Sequence, residues 1–117
     1  MSYQPGTHLV ATLRTEQKHL LNHFATFPTL VDSQIAKFDL QKLGDVYHNF
    51  TPIGFTAVVC LSESHLSVHT WPEYGLVNLD IYLSNHLRVN DGIVTELFLA
   101  IKNYFGATVE KELLIRR

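Results

Sequence analysis

A chain of 117 residues, 46% hydrophobic and 17% charged, is sized and composed for one folded domain with a modest core, and that balance excludes a disordered chain. A net charge of −2 gives no cationic footprint for nucleic acid, and no apolar run approaches the roughly 20 residues of a membrane span. The single cysteine, Cys60, excludes an intramolecular disulfide framework and suits a reducing, cytoplasmic setting.

The opening segment, MSYQPGTHLV, lacks the basic and apolar regions of a signal peptide, which agrees with a cytoplasmic location. Thr7 to Leu13 alternates as a strand. Thr15 is placed to cap a helix carrying Leu20, Leu21, Phe24 and Phe27 at helical spacing, with Pro28 as its expected end. Residues 29–37 allow a second helical piece, and Phe38 to Phe50 reads as extended, interrupted at Gly44. Gly54 to Ser62 is rich in β-formers. The segment SHLSVHT then alternates, with Leu66 and Val68 on one face and His65, Ser67 and His69 on the other. Pro72 and Gly75 mark a turn, and Leu76 to Ser84 is the next strand. After the loop NHLRVNDG, a helix from about Gly92 to Phe105 presents Ile93, Leu97, Ile101 and Tyr104 on one side, with Gly106 to stop it. ATVEKELLI closes as a strand whose basic residues are balanced by Glu110 and Glu112. This order predicts an α+β two-layer sandwich, an antiparallel sheet with helices packed on one face.

Spacing alone says little about chemistry. His65 and His69 lie on a strand, so their side chains stand on the order of 13 Å apart and no metal site is expected of them. Ser64, His69 and Asp80 or Asp91 hold the residue types of a hydrolase triad, but no G-x-S-x-G elbow surrounds Ser64. Phe50, Trp71 and Tyr74 offer either core packing or a platform for a base. Cys60 has the strand parity of Thr56 and is read as a small buried apolar residue.

The segment ESHLSVHTWPE, residues 63–73, resembles the processing motif of the small prokaryotic S-adenosylmethionine decarboxylase proenzymes. The likeness extends upstream through HNFTPIGFT, where His48, Phe50, Pro52 and Gly54 match the family's H-x-F-x-P-x-G pattern. LDIYLS downstream and GTHLVATL at the start are also similar. The resemblance implies a single domain over residues 1–117 that cuts itself between Glu63 and Ser64 into a 1–63 fragment (the β chain) and a 64–117 fragment (the α chain). Ser64 would attack the carbonyl of Glu63, and His69 would take the proton whose loss eliminates the ester. The new N-terminus becomes a covalent pyruvoyl group derived from Ser64, which forms a Schiff base with the substrate amine and accepts the electrons released with CO2. Thr56 stands where the family has a serine supporting processing. Phe50 matches the aromatic that stacks on adenine, and Glu73 the acid that binds the ribose hydroxyls.

Ser84 stands where the family has its proton-donating cysteine, and an aliphatic hydroxyl is a far weaker acid than a thiol. The substrate implied is S-adenosylmethionine, decarboxylated to S-adenosylmethioninamine for spermidine synthesis. The departure at Ser84 also raises a pyruvoyl-dependent L-ornithine or L-arginine decarboxylase, or a non-catalytic regulatory relative. The expected partners are a small-molecule substrate and a second processed protomer, with no nucleic acid and no membrane. The site is expected near a homodimer interface, and a sheet face left bare by the helices gives such pairing a physical motive.

Overall fold

The computed structural model describes residues 3–117. Six strands, β1 (Thr7–Arg14), β2 (Lys42–Asn49), β3 (Phe55–Leu61), β4 (Ser64–Trp71), β5 (Leu76–Leu83) and β6 (Thr108–Arg116), form one antiparallel sheet in the order β2-β3-β4-β5-β1-β6. Two helices, α1 (Phe27–Lys37) and α2 (Asp91–Tyr104), cover one face. The expected two-layer α+β sandwich is therefore what the chain forms.

Alternation decides which side chains meet the helices. Leu9, Ala11 and Leu13 of β1, Ala57 and Val59 of β3, Leu66 and Val68 of β4, and Val77, Leu79 and Ile81 of β5 are all buried. They close on Val31 and Ile35 of α1 and on Val94, Leu97, Phe98 and Ile101 of α2. Ile93 and Tyr104, expected on the buried side of the last helix, are only partly buried at its margins. Phe27 stacks on Phe105 at 5.5 Å and meets Phe55 at 5.6 Å, each ring fully buried and worth roughly 1.5–3 kcal/mol by transfer.

The helix expected from Thr15 to Phe27 does not form. Lys18–Leu21 makes a short 3-10 turn, and α1 begins at Phe27 with Pro28 in its first turn. Proline is as well suited to the start of a helix, where its missing N–H costs nothing, as to its end. Thr15 is buried, accepts the N–H of Gln17 and donates to the carbonyl of Phe105, so it does not cap a helix but ties the segment leading into this turn to the end of α2. Gly75 closes the turn before β5 at φ 66°, where a Cβ would stand 2.6 Å from the Thr15 carbonyl oxygen, so no side chain fits.

The opposite face is bare, and register arranges it in rows, three of which cross all six strands. Val46, Val58, Ser67, Asp80, Val10 and Leu113 form the middle row. On one side lie Gly44, Cys60, His65, Tyr82, His8 and Ile115. On the other lie His48, Thr56, His69, Asn78, Thr12 and Lys111. Cys60 is thus exposed rather than buried, because Val59 and Leu61 take the helix face of β3. Its parity with Thr56 decides its position; its apolar character does not.

Candidate active site

The hairpin between β3 and β4 turns on two residues, Ser62 and Glu63, since Leu61 pairs with Ser64. Ser64 opens β4 with φ 134°, a region that residues with a side chain rarely enter and that costs on the order of 1–3 kcal/mol. The carbonyl oxygen of Glu63 accepts the backbone N–H of Ser84 at 2.8 Å, where β5 ends. A strained serine therefore follows a peptide carbonyl that already faces a fixed donor.

The Glu63 side chain is buried and held from two sides. Arg88 donates through Nε to Oε1 at 3.2 Å and through Nη2 to Oε2 at 3.0 Å, while Asn90 Nδ2 donates to Oε1 at 2.9 Å. Burial alone pushes this carboxyl up, but the hydrogen bonds from Arg88 and Asn90 and the guanidinium charge outweigh it and hold it below the usual carboxylate range. Arg88 also reaches the carbonyls of Phe38 and Asp39 beyond α1.

At the other end of β4, Thr56 Oγ1 lies 3.0 Å from His69 Nδ1, across the register pair that joins β3 to β4. Both line a cavity of about 440 Å³ together with Phe50, Trp71 and Glu73. Phe50 and Trp71 are about half exposed and Tyr74 more so, which makes the first two cavity walls rather than core. His48 meets Phe50 edge-on at 4.8 Å.

The predicted residues thus fall into two groups. Glu63, Ser64 and Ser84 meet at one end of β4; Thr56, His69, Phe50 and Glu73 meet at the other. Five residues of strand separate Ser64 from His69, about 16 Å. No hydrolase triad forms, because Asp80 hydrogen-bonds His8 and Asp91 is bound by Thr7, Asn85 and Arg116. Among the described residues one set of possible metal ligands converges, His8, His65 and Asp80, whose ligand atoms lie within 4.8 Å of one another. It excludes His69. Arg117 Nη1 stands 3.4 Å from His8 Nδ1, while Asp80 meets the other ring nitrogen, Nε2.

The profile of the S-adenosylmethionine decarboxylase family matches residues 7–117. The chain belongs to this family. Among relatives named S-adenosylmethionine decarboxylase proenzyme, that of Archaeoglobus fulgidus is 44% identical over 77 residues, 66% of this chain and 69% of the relative. That of Picrophilus torridus is 38% identical over 101 residues, 83% and 78% of the two chains. The solved adenosylmethionine decarboxylase of Aquifex aeolicus superposes with a TM-score of 0.79 over 99% of this chain and 91% of its own, at 24% identity, which shows the shared fold.

Within this family framework, Arg88 and Asn90 are the residues that sequence reasoning missed. Their only trace was the unusual loop SNHLRVNDG, which says nothing of a reach back to Glu63 across 25 positions.

Proposed function

We propose that this member of the S-adenosylmethionine decarboxylase family is a single-domain proenzyme over residues 1–117 that cuts itself between Glu63 and Ser64. The mature form would decarboxylate S-adenosylmethionine to S-adenosylmethioninamine, for spermidine synthesis, within a homodimer. One observation carries the reading: a serine at φ 134° directly follows a carbonyl that is hydrogen-bonded by Ser84 N–H at 2.8 Å.

Ser64 Oγ attacks the Glu63 carbonyl carbon, and the charge that develops on its oxygen meets a donor already in place, an arrangement worth on the order of 10²–10³ in rate. Collapse breaks the C–N bond and leaves an ester with a free amine on residue 64. Loss of the Ser64 Cα proton then breaks the Cβ–O bond, releasing Glu63 as a carboxylate. Residue 64 remains as dehydroalanine, which takes up water and sheds ammonia to leave the pyruvoyl group. The Ser84 contribution comes from the backbone, so a serine serves it as well as a cysteine. Once formed, the pyruvoyl carbonyl supplies the electron sink for decarboxylation.

His69 is the candidate acceptor for the Cα proton, with Thr56 engaging Nδ1 and leaving Nε2 for the proton. It lies too far along its own strand to reach its own Ser64. A second copy resolves this: two bare faces stacked about a two-fold axis between the sheets and across the strands set the His69 end of one over the Ser64 end of the other. The middle row, with Val10, Val46, Val58 and Leu113 each at least 39% exposed, supplies the apolar contact such stacking needs. Phe50 and Glu73 then come to the partner's Ser64 with His69, the aromatic face to stack on adenine and the carboxylate to accept from the ribose hydroxyls. The relatives' names favour S-adenosylmethionine over a basic amino acid as substrate. No helix among the described residues is long and apolar enough to cross a membrane, and the lone thiol supports a cytoplasmic location.

Intact mass under denaturing conditions tests the cleavage. Two fragments, 1–63 and a pyruvoyl-blocked 64–117, are expected, and Ser64→Ala should leave one chain. A wild-type chain that stays whole would overturn the reading.

A further inference from the structure

The cut joins two segments that must hold still relative to each other, the hairpin tip at Glu63 and the end of β5 at Ser84. Nothing in the Ser84 N–H contact alone fixes their spacing. A second layer does. Asn90 Nδ2 donates at once to Glu63 Oε1 at 2.9 Å and to the Ser84 carbonyl at 2.8 Å, so a single amide bridges both residues. Asn90 is fully buried at the N-cap of α2, yet its side chain makes no capping bond there. Asparagine is among the best N-caps, a role worth about 1 kcal/mol, and here that use is forgone. Its Oδ1 is buried and has no hydrogen-bond partner among the described residues, a second sign that the amide is oriented for Glu63 and Ser84 rather than for its own helix.

Arg88 completes the arrangement. Its fork grips both oxygens of Glu63 while Nη2 is tied to the carbonyls of Phe38 and Asp39, which fixes the guanidinium to the turn after α1. Ser62 is tied to the same turn through its N–H on the Gln41 carbonyl at 2.9 Å. The hairpin tip is thus gripped by the β5–α2 loop and by the turn that follows α1.

We propose that Arg88 and Asn90 are positioning residues for chain cleavage, clamping the Glu63 side chain so that its carbonyl stays on Ser84 N–H while Ser64 Oγ attacks. The proposal rests on the self-cleavage reading. It gives the glutamate before the cut a task in this chain that its backbone does not perform. After cleavage the same contacts join the two fragments, because Glu63 lies on one and Arg88 and Asn90 on the other.

The test follows cleavage of full-length chain by intact mass after pulsed cell-free synthesis. Arg88→Met and Asn90→Ala should each slow cleavage on the order of tenfold to a hundredfold, the range set by losing hydrogen bonds to a charged group. Arg88→Lys, which keeps the charge but loses the fork, should fall between. The pH profile separates positioning from mere folding. The grip needs the Glu63 carboxylate ionised, so it is fully present above the ordinary carboxylate range and lost as pH falls through the lowered native value. With Arg88 removed and burial retained, that loss should begin at higher pH. Thermal melts in the Ser64→Ala background check that each variant folds, and if Arg88→Met does not, Asn90→Ala decides. Variants that fold and cut at the wild-type rate with the wild-type pH profile would overturn the clamp. A wild-type chain that never cuts would instead overturn the cleavage reading, and the clamp with it.

Discussion

The two ends of β4 are built to opposite rules. At the Ser64 end Glu63 is held throughout: it takes three hydrogen bonds on its carboxylate and one on its carbonyl, and the backbone of Ser64 stands at φ 134°. At the His69 end a single hydrogen bond to Thr56 faces an open cavity of about 440 Å³ walled by aromatic side chains. Under the proposed self-cleavage, the first end would hold the bond to be broken and the second would receive the substrate. One protomer holds both ends and joins neither, so on the proposed reading the sheet face between them would be part of the machinery.

Breaking that face should have the largest effect. Val58 sits in the middle row at 41% exposure, so Val58→Asp leaves the protomer core untouched but sets a charge between stacked sheets. Dimer affinity should fall at least about a hundredfold, since an unpaired buried charge costs several kcal/mol, and cleavage should fall with it. Sedimentation and intact mass on one sample check both; a cleaving monomer would break the comparison.

Glu73→Gln should separate the ends. Cleavage should proceed normally, while kcat/KM for CO2 release from S-adenosylmethionine drops on the order of tenfold to a hundredfold, as for lost hydrogen bonds to a charged acceptor. Equal losses in cleavage and turnover would place Glu73 at the wrong end.

Ser84→Cys should have the smallest effect on cleavage, within about twofold, because the contact to Glu63 comes from the backbone N–H. A thiol is the stronger acid, so turnover is the readout expected to rise.

Much of this was legible in the residues. The alternation of SHLSVHT placed His65, Ser67 and His69 on one face, and the motif from Glu63 to Glu73 named residues that the fold sets at the two ends of β4. Three things were not. Pro28 starts α1 rather than ending an earlier helix, because proline fits a helix's first turn and the spacing of Leu20 to Phe27 is shared between two elements. Cys60 lies on the bare face because β3 is apolar on both sides, with Val58 and Cys60 opposing Ala57, Val59 and Leu61, so composition could not assign a buried side. Arg88 and Asn90 act through contacts 25 and 27 positions away, which no local pattern encodes.

The most direct test of the shared site is complementation between two inactive chains. Ser64→Ala and His69→Ala chains, each carrying a different tag mass, are produced singly and together, and intact mass reports which is cut. Alone, each should stay whole. Together, the mixed dimer restores one complete site, Ser64 of the His69→Ala chain against His69 of its partner, so the His69→Ala chain should be cut and the Ser64→Ala chain should not. Cleavage of the His69→Ala chain on its own, or its persistence uncut within demonstrated mixed dimers, would contradict a site divided between two protomers.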